Sequence, residues 1–261
     1  MTPVLFVGAG PGDPDLITVA GRNALAEADL VIHAGSLVNP ALLDWARPEA
    51  RRVDSAPLTL DEIVDLMAQG SQAGRKVVRL HTGDPSLYGA IREQLTALEA
   101  RGVPARVIPG VTSALAAAAG LGLEFTLPEI TQTLIITRAA GRTPVPEKEN
   151  LQALAEVGAS LALYLSAGQG EEAGRALARG YGPEAPLALC YRATWPDARL
   201  VWTTCGQLDA TLKAEGLDRH TLILAGPAVA ALHGRASAPA SRLYDPDFSH
   251  GHRAAKRHDG P

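Results

Sequence analysis

Short apolar runs alternate with amphipathic stretches along the first half of the chain. Val4 to Val7 is an unbroken apolar run that ends in a turn rich in Gly and Pro, which suits a buried strand. Thr18 to Ala28 then carries apolar residues at helical spacing, with Thr18 or Asp15 placed to cap it. Leu30 to His33 reads as the next strand. Leu58 to Ala73 contains a helix, with Asp61 and Glu62 in its first turn, where the helix dipole favours negative charge. Lys76 to His81 is a strand, Gly89 to Ala100 a helix, Ala105 to Ile108 a strand and Thr112 to Gly120 a helix. Strands that do not alternate in polarity, each followed by a helix, predict a mostly parallel sheet covered on both faces.

The pattern breaks at Leu127-Pro128-Glu129 and resumes at about Thr131. Strands are expected at Leu134 to Thr137, Leu161 to Leu165, Leu187 to Arg192, Leu200 to Thr204 and Thr221 to Leu224. Helices are expected at about Asn150 to Glu156, Glu171 to Arg179 and Gln207 to Glu215, and Gly141 to Glu149 reads as a polar loop. Only Ala193 to Arg199 joins two of these strands, a link short enough for a hairpin, so the second sheet should be mixed. The expected architecture is two α/β domains, 1–122 and 131–245, followed by a disordered tail over 246–261. The tail carries His250, His252 and His258, and disorder is the preferred reading over metal binding.

Composition narrows the function classes. The net charge of −4 argues against a nucleic-acid footprint. The longest apolar run, Ala114 to Leu123, is short of the roughly 20 residues that a bilayer span takes. Residues 1–7 lack the basic flank and cleavage signature of a targeting segment, and Cys190 and Cys205 have no metal or redox spacing. They read as small core residues of a cytoplasmic protein. Arg outnumbers Lys 20 to 4, which base composition explains, as would recognition of carboxylates by the guanidinium fork.

The chemistry concentrates in three strand-to-helix loops. Gly8-Ala9-Gly10-Pro11-Gly12-Asp13-Pro14 looks at first like a dinucleotide fingerprint, but Asp13 stands where its third Gly belongs. Pro11 removes a backbone N–H, and an acidic side chain would repel phosphate. Thr82-Gly83-Asp84-Pro85-Ser86-Leu87-Tyr88-Gly89 repeats the Gly-Asp-Pro, and Pro109-Gly110-Val111-Thr112-Ser113-Ala114 makes a third transition. All three follow strands of one parallel sheet, so they should meet at its carboxyl edge, where such sheets bind ligands. A rim of carboxylates, carbonyls and backbone N–H groups, rather than a phosphate cradle, permits a phosphate-free cationic nucleoside such as S-adenosylmethionine, without selecting it.

Together these motifs resemble the tetrapyrrole (corrin/porphyrin) methyltransferases, in consistent order over about residues 3–245. Ala34-Gly35-Ser36-Leu37-Val38 and Tyr191-Arg192-Ala193-Thr194-Trp195-Pro196 are similar to the branch that methylates C11 of precorrin-4 or cobalt-precorrin-4. The resemblance implies S-adenosylmethionine as methyl donor, in a cleft between the two domains. It implies cofactor contacts at Pro11, Thr82, Gly83, Asp84, Leu87, Tyr88, Ser113 and Ala114. From the second half it adds Leu165, Ala193, Gly226 and Pro227. Relatives acting on uroporphyrinogen III carry Gly-Gly-Asp-Pro and then Phe-Gly-Arg in the second loop, and an Asp where this chain has Ala34. Their acid–base assignments do not transfer.

The implied substrate is a tetrapyrrole carrying many carboxylates, with no nucleic acid or membrane partner. Arg52, Arg138, Arg142 and Arg192, at or after strand ends, are candidate clamps for it. Asp13 and His33 are candidate bases, each with a plainer reading, as a turn cap and as a hydrogen-bonded strand end. A homodimer is expected, weakly supported by the apolar run Leu42-Leu43-Asp44-Trp45. Diphthine synthase and a 16S rRNA ribose methyltransferase share the two-domain plan but lack the corrinoid-type motifs. A non-catalytic S-adenosylmethionine binder would carry the same loops.

Overall fold

A computed structural model describes residues 1–235 and 240–255. The chain divides into two compact units, Met1–Leu121 with Tyr191–Arg199, and Gly122–Cys190 with the residues from Leu200 onward. The expected domain 131–245 was continuous in sequence, whereas the second unit omits Tyr191–Arg199.

The first unit holds β1 (Val4–Gly8), α1 (Val19–Glu27), β2 (Leu30–His33), β3 (Arg51–Asp54), α2 (Leu60–Gln72), β4 (Val77–His81), α3 (Ile91–Glu99), β5 (Ala105–Ile108) and α4 (Ser113–Leu121). Its five strands lie in the order β3-β2-β4-β1-β5, and every pairing is parallel. The sheet is covered on both faces, as strands apolar on both sides require. Phe6, Ile32 and Val77 pack with Ile63, Val64, Met67 and Leu98 from α2 and α3. Val7, Val31 and Leu80 pack with Leu25 of α1 and with Leu42 from the 3₁₀ turn at Pro40–Trp45. Leu43 and Trp45 pack partly on that core, so the run offered in support of a homodimer contributes apolar area to this unit's interior.

Local chemistry sets the ends of these elements. Thr18 caps α1 by accepting from the Gly21 N–H at 3.1 Å. Thr59 and Glu62 form a reciprocal capping box at the start of α2.

The second unit holds β6 (Leu134–Arg138), α5 (Leu151–Glu156), β7 (Ser160–Tyr164), α6 (Gly170–Tyr181), β8 (Pro186–Tyr191), β9 (Arg199–Thr204), α7 (Leu208–Glu215), β10 (Thr221–Ala225) and α8 (Pro227–His233). Its strand order is β6-β7-β10-β8-β9, and the sheet is mixed, since β6 pairs with β7 in parallel and β10 with β7 antiparallel. Strands β8 and β9 are neighbours, as the short link between them requires. Cys190 and Cys205 are buried, and burial pushes their thiols up to about 12 and about 11.

No helix among the described residues is long and apolar enough to cross a membrane, and none of those residues form a group of three or more His, Cys, Asp or Glu fit for a metal. In the expected tail, His250 and Arg253 form an isolated bridge, and His258 lies outside the described residues.

Candidate active site

Strands β4, β1 and β5 are immediate neighbours, so the three motif loops leave one sheet edge side by side. Their registers align the strand ends, with Gly8 opposite His81 and Val7 opposite Ile108. The loops then touch through glycine. A Cβ on Gly110 would lie 2.2 Å from the Gly83 carbonyl oxygen and 2.8 Å from Gly8 Cα. A Cβ on Gly8 would in turn lie 2.6 Å from Gly110 Cα, so no side chain fits at either position, and this is why the first and third loops carry Gly at the contact.

Backbone hydrogen bonds fasten the same junction. The Ala9 N–H donates to the His81 carbonyl at 2.7 Å. Gly10 and Gly83 exchange bonds of 3.2 and 2.8 Å. The Asp84 carboxylate accepts from the Gly110 N–H and the Ser86 N–H, both at 2.8 Å. Burial alone would raise the Asp84 carboxyl, but these donors outweigh it and hold the group below its usual range. Asp84, expected as a cofactor contact, thus ties the second loop to the third.

The N–H groups of Ala9, Gly10, Gly83 and Gly110 are therefore consumed inside the protein. So is that of Asp13, which donates to Thr194 Oγ1 at 3.0 Å. A phosphate cradle needs such groups turned towards its ligand. The first loop spends its donors on neighbouring segments of the protein, and what it can present to a ligand is a surface without a phosphate nest.

Groups that do face outward follow the junction. Thr82 and Tyr88 are exposed, and Leu87 and Ser113 are half-buried, while Gly83 and Ala114 are buried. Tyr88 and Ala90 both adopt left-handed backbone, with φ of 55° and 47°. Such residues cost of order 1–3 kcal/mol each and persist where surrounding structure imposes them. The imposing structure here includes Arg79 and Gln94, 5% and 4% exposed. Gln94 donates to the Ala90 carbonyl at 3.0 Å and accepts from Arg79 Nε at 3.2 Å. Burial pulls the Arg79 guanidinium down to about 10.

In the second unit, Leu165 is left-handed at φ 53° and 68% exposed, an unusual state for a large apolar residue directly after a strand. Gly226 is buried with φ 103°, and a Cβ there would meet the Ala159 carbonyl oxygen at 2.4 Å, so Gly226-Pro227 makes a tight entry into α8.

The remaining expected residues are placed as follows. Pro11 is buried. Asp13 is half-buried, and its Oδ1 accepts from the Asp15 N–H at 2.9 Å, capping the turn at Pro14–Leu16. His33 ends β2, and its carbonyl accepts from the Ser55 N–H and hydroxyl. Burial lowers the His33 imidazole below its usual range, against the pull of the Asp54 carboxylate. Arg52 spends its guanidinium on the Leu43, Ala46 and Arg47 carbonyls at 3.3 Å each. Arg138 spends its own on the Ala139, Thr143 and Pro144 carbonyls. Arg192 pairs with Asp197 at 2.7 Å, Ala193 beside it is half-buried, and Arg142 is exposed.

Besides the Thr194 hydroxyl, two contributions escape the sequence reading. Asn39 donates from Nδ2 to the Gly12 carbonyl at 2.8 Å while its Oδ1 accepts from the Ala41 N–H. Trp195 Nε1 donates to the Pro11 carbonyl at 3.0 Å. Asn39 sits directly before Pro40, a capping signal that could have drawn attention to it. Nothing local announces the reach of Trp195.

Two α/β units, one with three glycine-bearing loops fused at the carboxyl edge of a parallel sheet, define a ligand-handling enzyme of the non-dinucleotide kind. The chain belongs to the Tetrapyrrole (Corrin/Porphyrin) Methylases, whose family model matches residues 3–209. It is 44% identical over 255 residues to a cobalt-precorrin-4 C(11)-methyltransferase of Methanocaldococcus jannaschii, covering 97% of each chain. The fold is similar to the X-ray structure of a cobalamin biosynthetic enzyme, cobalt precorrin-4 methyltransferase, with a TM-score of 0.84 and 44% identity over 87% of this chain and 95% of that one. It is also similar to a uroporphyrin-III C-methyltransferase from Thermus thermophilus complexed with S-adenosyl homocysteine, with a TM-score of 0.71 and 28% identity over 87% of this chain and 93% of that one.

Proposed function

We infer that this protein transfers a methyl group from S-adenosylmethionine to C11 of precorrin-4 or cobalt-precorrin-4. The observation that carries the reading is the junction of Gly8, Gly83 and Gly110. It consumes the N–H groups a phosphate would need and leaves Thr82, Leu87 and Tyr88 beside it for a phosphate-free nucleoside. The resemblance of the whole chain to corrinoid methylases supports the same ligand.

When bound, S-adenosylmethionine supplies an activated methyl on a sulfonium. The chain's own task is then mainly placement, since holding reactants in line supplies roughly 7–11 kcal/mol of a barrier. Thr82 offers a hydroxyl and Tyr88 a phenol at the sheet edge, and Leu87, Leu165 and Ala193 offer apolar surface. Asp13 is assigned to the macrocycle, holding or accepting a proton as the ring carbon is methylated. His33 is the second candidate, and its lowered affinity for a proton keeps it neutral and able to accept one at neutral pH. Arg142 is assigned to the substrate carboxylates, since Arg52, Arg138 and Arg192 are each engaged within the protein. The protein works as a cytoplasmic homodimer in this reading, and sedimentation of the purified protein tests the dimer.

The decisive experiment incubates the protein with S-adenosylmethionine and precorrin-4, with and without cobalt, and follows the product by mass spectrometry and NMR. One methyl gained at C11 is the expected result, and the preferred metal state assigns the substrate. A methyl at another ring carbon would move the protein to a different tetrapyrrole reaction. Retained cofactor binding with no transfer would make it a sensor.

A further inference from the structure

The first loop is locked from outside itself. Pro11 and Gly12 are buried, and three polar groups of the turn are taken by side chains distant in sequence. Trp195 Nε1 holds the Pro11 carbonyl at 3.0 Å, Asn39 Nδ2 holds the Gly12 carbonyl at 2.8 Å, and Thr194 Oγ1 accepts the Asp13 N–H at 3.0 Å. The fit around Gly12 is tight, since a Cβ there would lie 2.1 Å from Trp195 Cδ1. The segment that delivers Thr194 and Trp195 is itself constrained. Arg192 and Thr194 are left-handed, with φ of 45° and 72°. The Arg192 guanidinium lies 4.6 Å from the centre of a Trp195 ring and pairs with Asp197. Strain at two non-glycine residues is sustained here to bring one indole and one hydroxyl onto one turn. The residue that follows the gripped carbonyls is Asp13, whose carboxylate is then turned by its own bond from the Asp15 N–H.

We propose that Trp195, with Thr194 and Asn39, is a positioning residue for methyl transfer, fixing the first loop so that the Asp13 carboxylate keeps one orientation towards the tetrapyrrole. This rests on the proposed reaction and on the role of Asp13 in it.

Trp195→Phe keeps the ring and removes the N–H, and Thr194→Val keeps the volume and removes the acceptor. Each is expected to lower kcat by ~10–100-fold, the scale of a misplaced group at a reacting centre. Melting temperature should fall by only about 2–4 °C, the scale of one lost hydrogen bond, calorimetric affinity for S-adenosylhomocysteine should stay at its wild-type value, and Thr194→Ser should restore turnover. Because the route runs through Asp13, adding Trp195→Phe to Asp13→Asn should bring no further loss in single-turnover transfer. The idea is overturned if either variant turns over at the wild-type rate, or if the loss follows cofactor affinity. It is equally overturned if Asp13→Asn is fully active, or if Trp195→Phe costs as much in the Asp13→Asn background as alone. Methylation of a position other than C11 by the wild type would count against the proposed function, while the same variants would still report on the lock.

Discussion

His81 ends β4 directly below the glycine junction, stacked on Phe6 with ring centroids 5.8 Å apart. Its Nε2 is buried without a hydrogen-bond partner among the described residues. Burial, aided by the nearby Arg79 charge, pushes its imidazole down to about 3. A histidine of the unfolded chain titrates near 6.5, so between these values the unfolded state binds the extra proton. The stability that neutral His81 contributes is therefore complete above about pH 6.5 and is lost as the pH falls towards 3, at about 1.4 kcal/mol per pH unit. Denaturant unfolding at pH 7 and pH 5 should show His81→Leu losing about 1–2 kcal/mol less than wild type across that interval. Equal losses in the two proteins would mean that native His81 takes up a proton. The junction above it is less forgiving. Gly110→Ala drives a Cβ onto backbone atoms of Gly83 and Gly8, which cannot rotate away. Overpacking of this kind costs about 1–3 kcal/mol. Thermal unfolding and calorimetry should find melting temperature and S-adenosylhomocysteine affinity falling together, and loss of neither would leave the junction without its assigned role.

Elements differ in how openly the sequence announces them. The apolar runs of β1, β2 and β4 are largely buried, so hydrophobicity alone located them, whereas β5 is an edge strand exposed at Arg106 and Val107 and was located by its place in the strand–helix alternation. Thr18 marked the start of α1 by cap chemistry, and Asp61 and Glu62 marked the first turn of α2. Strand β3 went unseen because it is an edge strand of sequence Arg-Arg-Val-Asp, exposed at three of its four positions, with no pattern to read. Helix α8 was hidden by the Gly226-Pro227 turn, which reads as a loop although Pro at the first helical position is a normal start. The three loops were legible because glycine, aspartate and proline are required by the turns themselves. The grip of Asn39 and Trp195 was not, because it depends on which segments the fold brings together. The arginines show the same limit, since placement by strand ends could not separate tethers from free cations. Arg52 braces the turn that ends at Trp45, so Arg52→Ala should lower stability and leave the tetrapyrrole KM unchanged. Arg142 is exposed, and Arg142→Ala should raise that KM by roughly tenfold, the scale of one charge-assisted hydrogen bond, at constant melting temperature. Steady-state kinetics with both variants checks the pair, and a reversed pattern would exchange their roles.

At the scale of the whole molecule, the proposed reaction sets two fields against each other. The chain carries 24 basic and 28 acidic side chains, a net charge of −4, so at long range it repels a substrate bearing many carboxylates. At short range that substrate must be held by guanidinium groups, whose attraction acts over a few ångströms. Salt separates the two, because the Debye length falls from about 30 Å at 0.01 M to about 10 Å at 0.1 M and about 3 Å at 1 M. The first step removes the repulsion of the whole chain and spares close ion pairs, and the second weakens the ion pairs as well. The KM for the tetrapyrrole should therefore fall between 0.01 and about 0.1 M salt and rise again towards 1 M, while the KM for S-adenosylmethionine changes little. Initial rates over that range decide the matter. A KM that only rises would mean that the local positive field governs capture at every distance, and a flat profile would remove the arginines from substrate binding altogether.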